Sequence, residues 1–178
     1  MLPAILAACV WASAPSVPVD HPLAGHGPTG VRGELGLGGS NGMLGAVVWR
    51  DLIPALRAEG GTGIGWSGLQ LSGLLKLVAG GEHHRFVAGA GLSLGIPVGG
   101  GSLFKDRHDG APIVMPWLNV DFPGYEYMST DGWALSIALG ATTPLRRAHW
   151  DMADDFGDDV RPLRSWYPGG HVGFGKAF

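Results

Sequence analysis

Several groups of residues in this chain are of types that do chemistry. Asp151, Asp154, Asp155, Asp158 and Asp159 place five aspartates in nine positions. Oxygen donors at that density suit a hard cation such as calcium. Their spacing lacks the alternation and closing glutamate of a calcium loop, so the segment reads as a solvated loop. Arg146, Arg147, Arg161 and Arg164 flank it and can neutralise the carboxylates or meet phosphate groups. His83-His84 offers two imidazoles, but neighbours on a strand point to opposite faces, so the pair reads as a polar turn. Gly91-Leu92-Ser93-Leu94-Gly95 spells a nucleophile elbow. That motif needs a sharp strand-to-helix turn, and here it lies inside an alternating run, so Ser93 reads as a small residue on a strand face. Gly170 to Lys176 has the spacing of a phosphate loop, but Ala177 replaces the hydroxyl residue and no helix follows. None of these sets calls for a cofactor, and none makes a catalytic site.

A second group is spread more widely and more regularly. Arg32, Glu34, Arg57, Glu59, Lys76, Arg85 and Asp121 each fall on the less apolar face of their own segment, with Gln70, Asn119 and His171 placed likewise. Arg57 and Glu59, two apart, share a face about 7 Å from each other. We expect Arg32, Glu34, Arg57, Glu59, Lys76 and Arg85 to form one interior network, because charges withheld from water must be paired.

The elements that would hold them are strands. From Gly68 to Pro97, Leu69, Leu71, Leu75 and Leu77, and then Phe86, Ala88, Leu92 and Leu94, recur at every second position. The residues between them are mostly glycine, serine or single charges. Period two gives each strand one greasy face and one polar or tiny face. A soluble sandwich would bury the large apolar face and show water a bulky charged one. Here the narrow face suits the inside of a small barrel whose outside meets lipid.

Composition agrees with that plan. The chain has 32 glycines in 178 residues, against a usual share of roughly 7%. Charged residues are 15%, against roughly 25% in soluble domains. No apolar run reaches the ~18 residues of a membrane-spanning helix. The formal net charge of −3 gives no support for nucleic-acid binding. Residues 1–20 read as a signal peptide and processing region, with an apolar core from Leu2 to Ala12 and small residues at Ala12-Ser13-Ala14. The single cysteine, Cys9, follows Leu6-Ala7-Ala8, similar to a lipoprotein acylation box, and reads more simply as lost with the signal. Residues 21–29 are a lead-in rich in Pro, Gly and His, and 30–178 form the barrel.

Eight strands follow: Val31 to Gly38, Met43 to Asp51, Leu56 to Trp66, the two of the Gly68–Pro97 hairpin, Val114 to Phe122, Trp133 to Ala141, and His171 to Phe178. Asn41-Gly42 is a hairpin turn. Met43 to Asp51 carries apolar residues in both registers; we expect Val47 and Trp49 outward and Arg50 inward. Pro123-Gly124 marks a bulge, because Tyr125 and Tyr127 resume the aromatic face in the opposite parity. Segments 98–111 and 144–168 read as long loops on one side, with short turns at 80–82 and 129–132 on the other, the segregation found in outer-membrane barrels.

The last residues, His171-Val172-Gly173-Phe174-Gly175-Lys176-Ala177-Phe178, resemble the C-terminal signature of bacterial outer-membrane β-barrels, and Leu56 to Leu94 resembles small eight-stranded members of that group. Val172, Phe174 and Phe178 match the signature; Lys176 stands where an apolar residue is usual, and at a membrane edge it can snorkel. The resemblance implies an all-β, eight-stranded antiparallel up-and-down transmembrane barrel in the bacterial outer membrane, inserted by the barrel-assembly machinery. It implies a monomer whose partners are outer-membrane lipid and lipopolysaccharide, with no nucleic acid. The function expected is structural or interactive, with a side-chain-filled lumen rather than a wide pore. The alternatives are a barrel enzyme acting on outer-membrane lipid and a lipocalin-like binding barrel.

Overall fold

A computed structural model describes residues 29–98, 104–105, 113–146, 149–150 and 166–178. The signal segment, Cys9, all of the lead-in but Thr29, and the five aspartates of 151–159 lie outside the described residues, and Thr29 opens the first strand. The strands are β1 (Thr29–Gly39), β2 (Gly42–Ile53), β3 (Leu56–Gly65), β4 (Gly68–Gly80), β5 (His84–Ile96), β6 (Phe104–Lys105), β7 (Met115–Met128), β8 (Trp133–Pro144), β9 (His149–Trp150) and β10 (Tyr167–Ala177). Eight of them close into an antiparallel barrel in the order β1-β10-β8-β7-β5-β4-β3-β2. The first and last strands seal it, with Val31 opposite Lys176 and Leu35 opposite Val172. Closure leaves no unpaired edge.

The barrel is polar inside and apolar outside. Arg57 is 0% exposed and Glu126 1%, whereas Leu35 is 66% and Leu139 60%. Each wall strand alternates between the two environments, as in β8, where Ala134, Ser136 and Ala138 are buried and Trp133, Leu135 and Ile137 are exposed. Glycine on the inner wall makes room for long side chains. A Cβ on Gly89 would lie 2.5 Å from Lys76 Cγ, and one on Gly173 would lie 2.6 Å from Ser136 Oγ. The β1–β2 turn needs glycine for another reason: Gly42 has φ 79°, a conformation side chains disfavour.

Two sequence expectations change. Val47 and Trp49 point inward and Arg50 is exposed outside. In the β2–β3 ladder Trp49 lies opposite Glu59 and Asp51 opposite Arg57. Direct cross-strand partners share a face, so the inward Arg57 and Glu59 carry Trp49 and Asp51 in with them. A register shift between Asp51 and Ile53 separates this parity from that of the turn. The segments read as long loops also contain structure: β6 and β9 pair as a two-stranded sheet. The bulge in β7 lies between Asp121 and Gly124 in its pairing with β8. Beyond it Gly124, Glu126 and Met128 face inward where Trp117, Asn119 and Asp121 did before.

Candidate functional site

The inner wall holds three polar layers. The central one is built on β1, β3, β4 and β7. Arg32 grips Glu59 with both terminal nitrogens, at 2.9 and 2.6 Å, and donates through Nε to Glu34 at 2.7 Å. Lys76 Nζ lies 3.0 Å from Glu59 Oε2 and 2.9 Å from Asp121 Oδ2. Glu34 also accepts from Asn41 Nδ2 at 2.7 Å, and His171 Nε2 is 3.6 Å away. Ser72 Oγ donates to Asn41 Oδ1, tying the β1–β2 turn to β4. The fork of Arg32 matches the two oxygens of Glu59, a geometry that lysine lacks.

A second ionic layer lies toward the end where β1 starts and β10 stops. Arg57 donates to Asp51 at 2.5 Å and to Glu126 at 2.6 Å. Arg85 approaches the same two carboxylates at 3.9 and 3.7 Å. The Trp49 indole separates the layers, with the Arg32 guanidinium 5.5 Å from its centroid and that of Arg57 5.3 Å. Both contacts are within cation–π range. Arg57 therefore pairs across to Asp51 and Glu126 rather than joining Glu59, and the charges form two clusters instead of one. A third, neutral layer occupies the opposite end. Asn119 Nδ2 donates to Ser93 Oγ at 3.0 Å, Thr142 Oγ1 to Asn119 Oδ1 at 2.9 Å, and Gln70 Nε2 to Ser67 Oγ at 2.9 Å.

The positions named from sequence thus divide clearly. Arg32, Glu34, Glu59, Lys76 and Asp121 meet in the central cluster, and Arg57 and Arg85 in the second. Asp51, Glu126, Asn41 and Trp49 belong to the same constructions; the sequence reading gives Asp51 and Glu126 no role, takes Asn41 as a turn residue and aims Trp49 outward. Asp51 closes the second strand, whose facing the sequence leaves ambiguous. Glu126 sits between the two tyrosines whose parity revealed the bulge, so its inward aim was available from the sequence. Val172 and Phe174 lie on the outer wall, and Phe178 is exposed just beyond β10. Lys176 also points outward, its Nζ 5.2 Å from the Trp133 ring centroid.

Among the described residues, the side chains singled out for chemistry have separate partners. Ser93 meets an amide rather than an imidazole, so nothing beside it takes its proton. His83 Nδ1 lies 2.8 Å from the Met128 carbonyl and His84 Nδ1 2.5 Å from the Tyr125 hydroxyl, separate partners for two rings. Among the described residues no group of three or more His, Cys, Asp or Glu could hold a metal ion. The lumen side chains bond to one another across the barrel, joining β1 to β3, β4 to β3 and β7, and β3 to β2 and β7. A scan against protein-family models found no match, and searches of curated proteins and of solved structures found none.

Proposed function

We propose that this protein is a bacterial outer-membrane β-barrel of structural or interaction type, its strands crossing the bilayer around a lumen filled by ion-paired side chains. The observation that carries the reading is the inverted distribution of polarity. Among the described residues thirty large hydrophobic side chains are exposed, most of them on the outer wall, while nine ionic side chains lie inside. A water-soluble protein rarely shows apolar patches beyond a few hundred Å². A lipocalin-like binder would reverse the pattern, with an apolar lumen left open for its ligand.

Strand length and aromatic placement agree. The barrel strands run from 10 to 14 residues, enough for the roughly 9–11 of a tilted membrane strand. Aromatic rings gather on the outside near the end where β1 starts and β10 stops. Trp133 stacks on Phe174 at 5.1 Å, and Phe86 meets Tyr125 edge-on at 6.2 Å. Trp66 and Trp166 are exposed near the other end. Such rings sit at the headgroup level in membrane barrels. External loops would meet lipopolysaccharide or a partner, and the C-terminal Val172, Phe174 and Phe178 would be read by the assembly machinery.

Refolding into sealed vesicles that contain a small dye tests the reading. The barrel should insert, resist added protease, and leave the dye trapped. Dye release at the rate given by a porin would show an open lumen and overturn the filled-barrel account; failure to insert would overturn the membrane account.

A further inference from the structure

We propose that the outer wall carries a site for one anionic phospholipid, its phosphate held by Lys176 and Arg50 and an acyl chain lying in a groove across β1, β2 and β3. The inference rests on the membrane-spanning reading and adds a specific lipid to it. The groove has a volume of about 730 Å³ and is lined on its outer surface by Val31, Val48, Ala46 and Thr62, with the stacked Trp133 and Phe174 as one bank. That volume falls within the range of about 300–1,000 Å³ of small-molecule sites. Cross-strand pairing puts these residues in two rows. One runs Trp133, Lys176, Val31, Val48, Gly60; the next runs Leu135, Phe174, Gly33, Ala46, Thr62.

The floor is low because side chains are missing there without a packing reason. A Cβ on Gly60 would meet nothing nearer than 3.9 Å, and one on Gly33 nothing nearer than 4.0 Å. Both would be ordinary contacts. This contrasts with the inner wall, where a Cβ on Gly89 or Gly173 would collide with a charged or polar neighbour. Glycine is poor in a strand interior and often marks a place where a ligand or another chain comes close.

Charge selects the occupant. Lys176 stands at the end of the groove nearest the start of β1, over the Trp133 ring. Arg50, exposed and opposite Thr29, lies two residues beyond Val48 toward the same end. Among the described residues neither cation is in an ion pair, although nine interior charges are paired. Two unpaired cations above an apolar trough match a phosphate above an acyl chain. A second copy of the chain fits less well, because a two-fold contact through this face with both barrels upright would bring the cations of both copies to the same level.

Native mass spectrometry of the full chain in neutral detergent tests the site, with phosphatidylglycerol or phosphatidylcholine titrated in. The wild type should retain one phosphatidylglycerol in preference to phosphatidylcholine. R50Q and K176Q should each weaken that preference by about fivefold, and the double variant should bind the two lipids alike. Gly60→Leu fills the trough, keeps both cations, and should lower retention of phosphatidylglycerol while the barrel still folds. Equal retention of the two lipids by the wild type, an unchanged preference in R50Q/K176Q, or a lipid-free dimer would overturn the proposal. Insertion of the wild type into phosphatidylcholine vesicles separates the two readings: a barrel that inserts but shows no preference refutes only the lipid site, whereas one that never inserts refutes the membrane reading as well.

Discussion

Glu59 is the residue on which the central cluster turns. It accepts the fork of Arg32 and lies against Lys76, so one carboxylate holds two buried cations. Removing a single partner from a buried ion pair is costly because a charge is left unpaired where water does not reach it. Glu59→Ala should therefore lower the stability of the refolded barrel by about 3–5 kcal/mol in a urea titration. Without Glu59, Arg32 keeps only Glu34 and Lys76 keeps only Asp121, so each buried cation is short of one partner, and adding Arg32→Met removes one of these under-paired cations. The double variant should lose less than the sum of the single losses, with a coupling of about 0.5–3 kcal/mol. If Glu59→Ala unfolded at the same urea concentration as the wild type, the lumen would be hydrated and the filled-barrel account would fail. Sequence parity was enough to place Glu59, Arg32 and Lys76 on inner faces. It was not enough to assign partners, because pairing depends on which staves are neighbours and on the cross-strand register that sets Asp51 opposite Arg57.

At the scale of the strand, alternation was legible wherever one face was distinctly small or polar. β4 and β5 show this: leucine and phenylalanine alternate there with glycine, serine and lysine, and the faces read from sequence are those the barrel adopts. β2 was illegible because Leu44, Ala46 and Val48 compete with Val47 and Trp49, two sets of similar hydrophobicity. Tryptophan is a common lipid-facing residue, and only the cross-strand alignment with Glu59 shows that Trp49 serves the interior. The short β6 and β9 gave no periodic signal, since two residues cannot show a period. Facing is testable strand by strand. Leu75 lies mid-strand on the outer wall, and Leu75→Arg should cost about 2–4 kcal/mol in a lipid bilayer. Cysteine placed at Arg50 should label readily from outside, and cysteine at Trp49 should label only after unfolding. Equal labelling at the two positions would contradict the inward turn of Trp49.

For the whole molecule, the closed eight-stranded barrel was readable because hairpin turns, bulge and strand lengths all pointed to one topology. The outer-membrane location read from the C-terminal resemblance is a further step, because a closed barrel is compatible with water or lipid and the distribution of polarity is what bears on the choice. That distribution makes the central claim a claim about solvent. A barrel with leucines outside and ion pairs inside is stable in a bilayer, where apolar walls cost nothing to expose and closure satisfies every backbone group. On the proposed reading the same molecule in water should aggregate through its outer wall. The most direct measurement is fractionation of a Gram-negative cell producing the chain, followed by electrophoresis with and without boiling. The account requires recovery in the outer-membrane fraction, release only by detergent, and a mobility that shifts on boiling as the barrel unfolds. Recovery of folded protein in the soluble periplasmic fraction would contradict it.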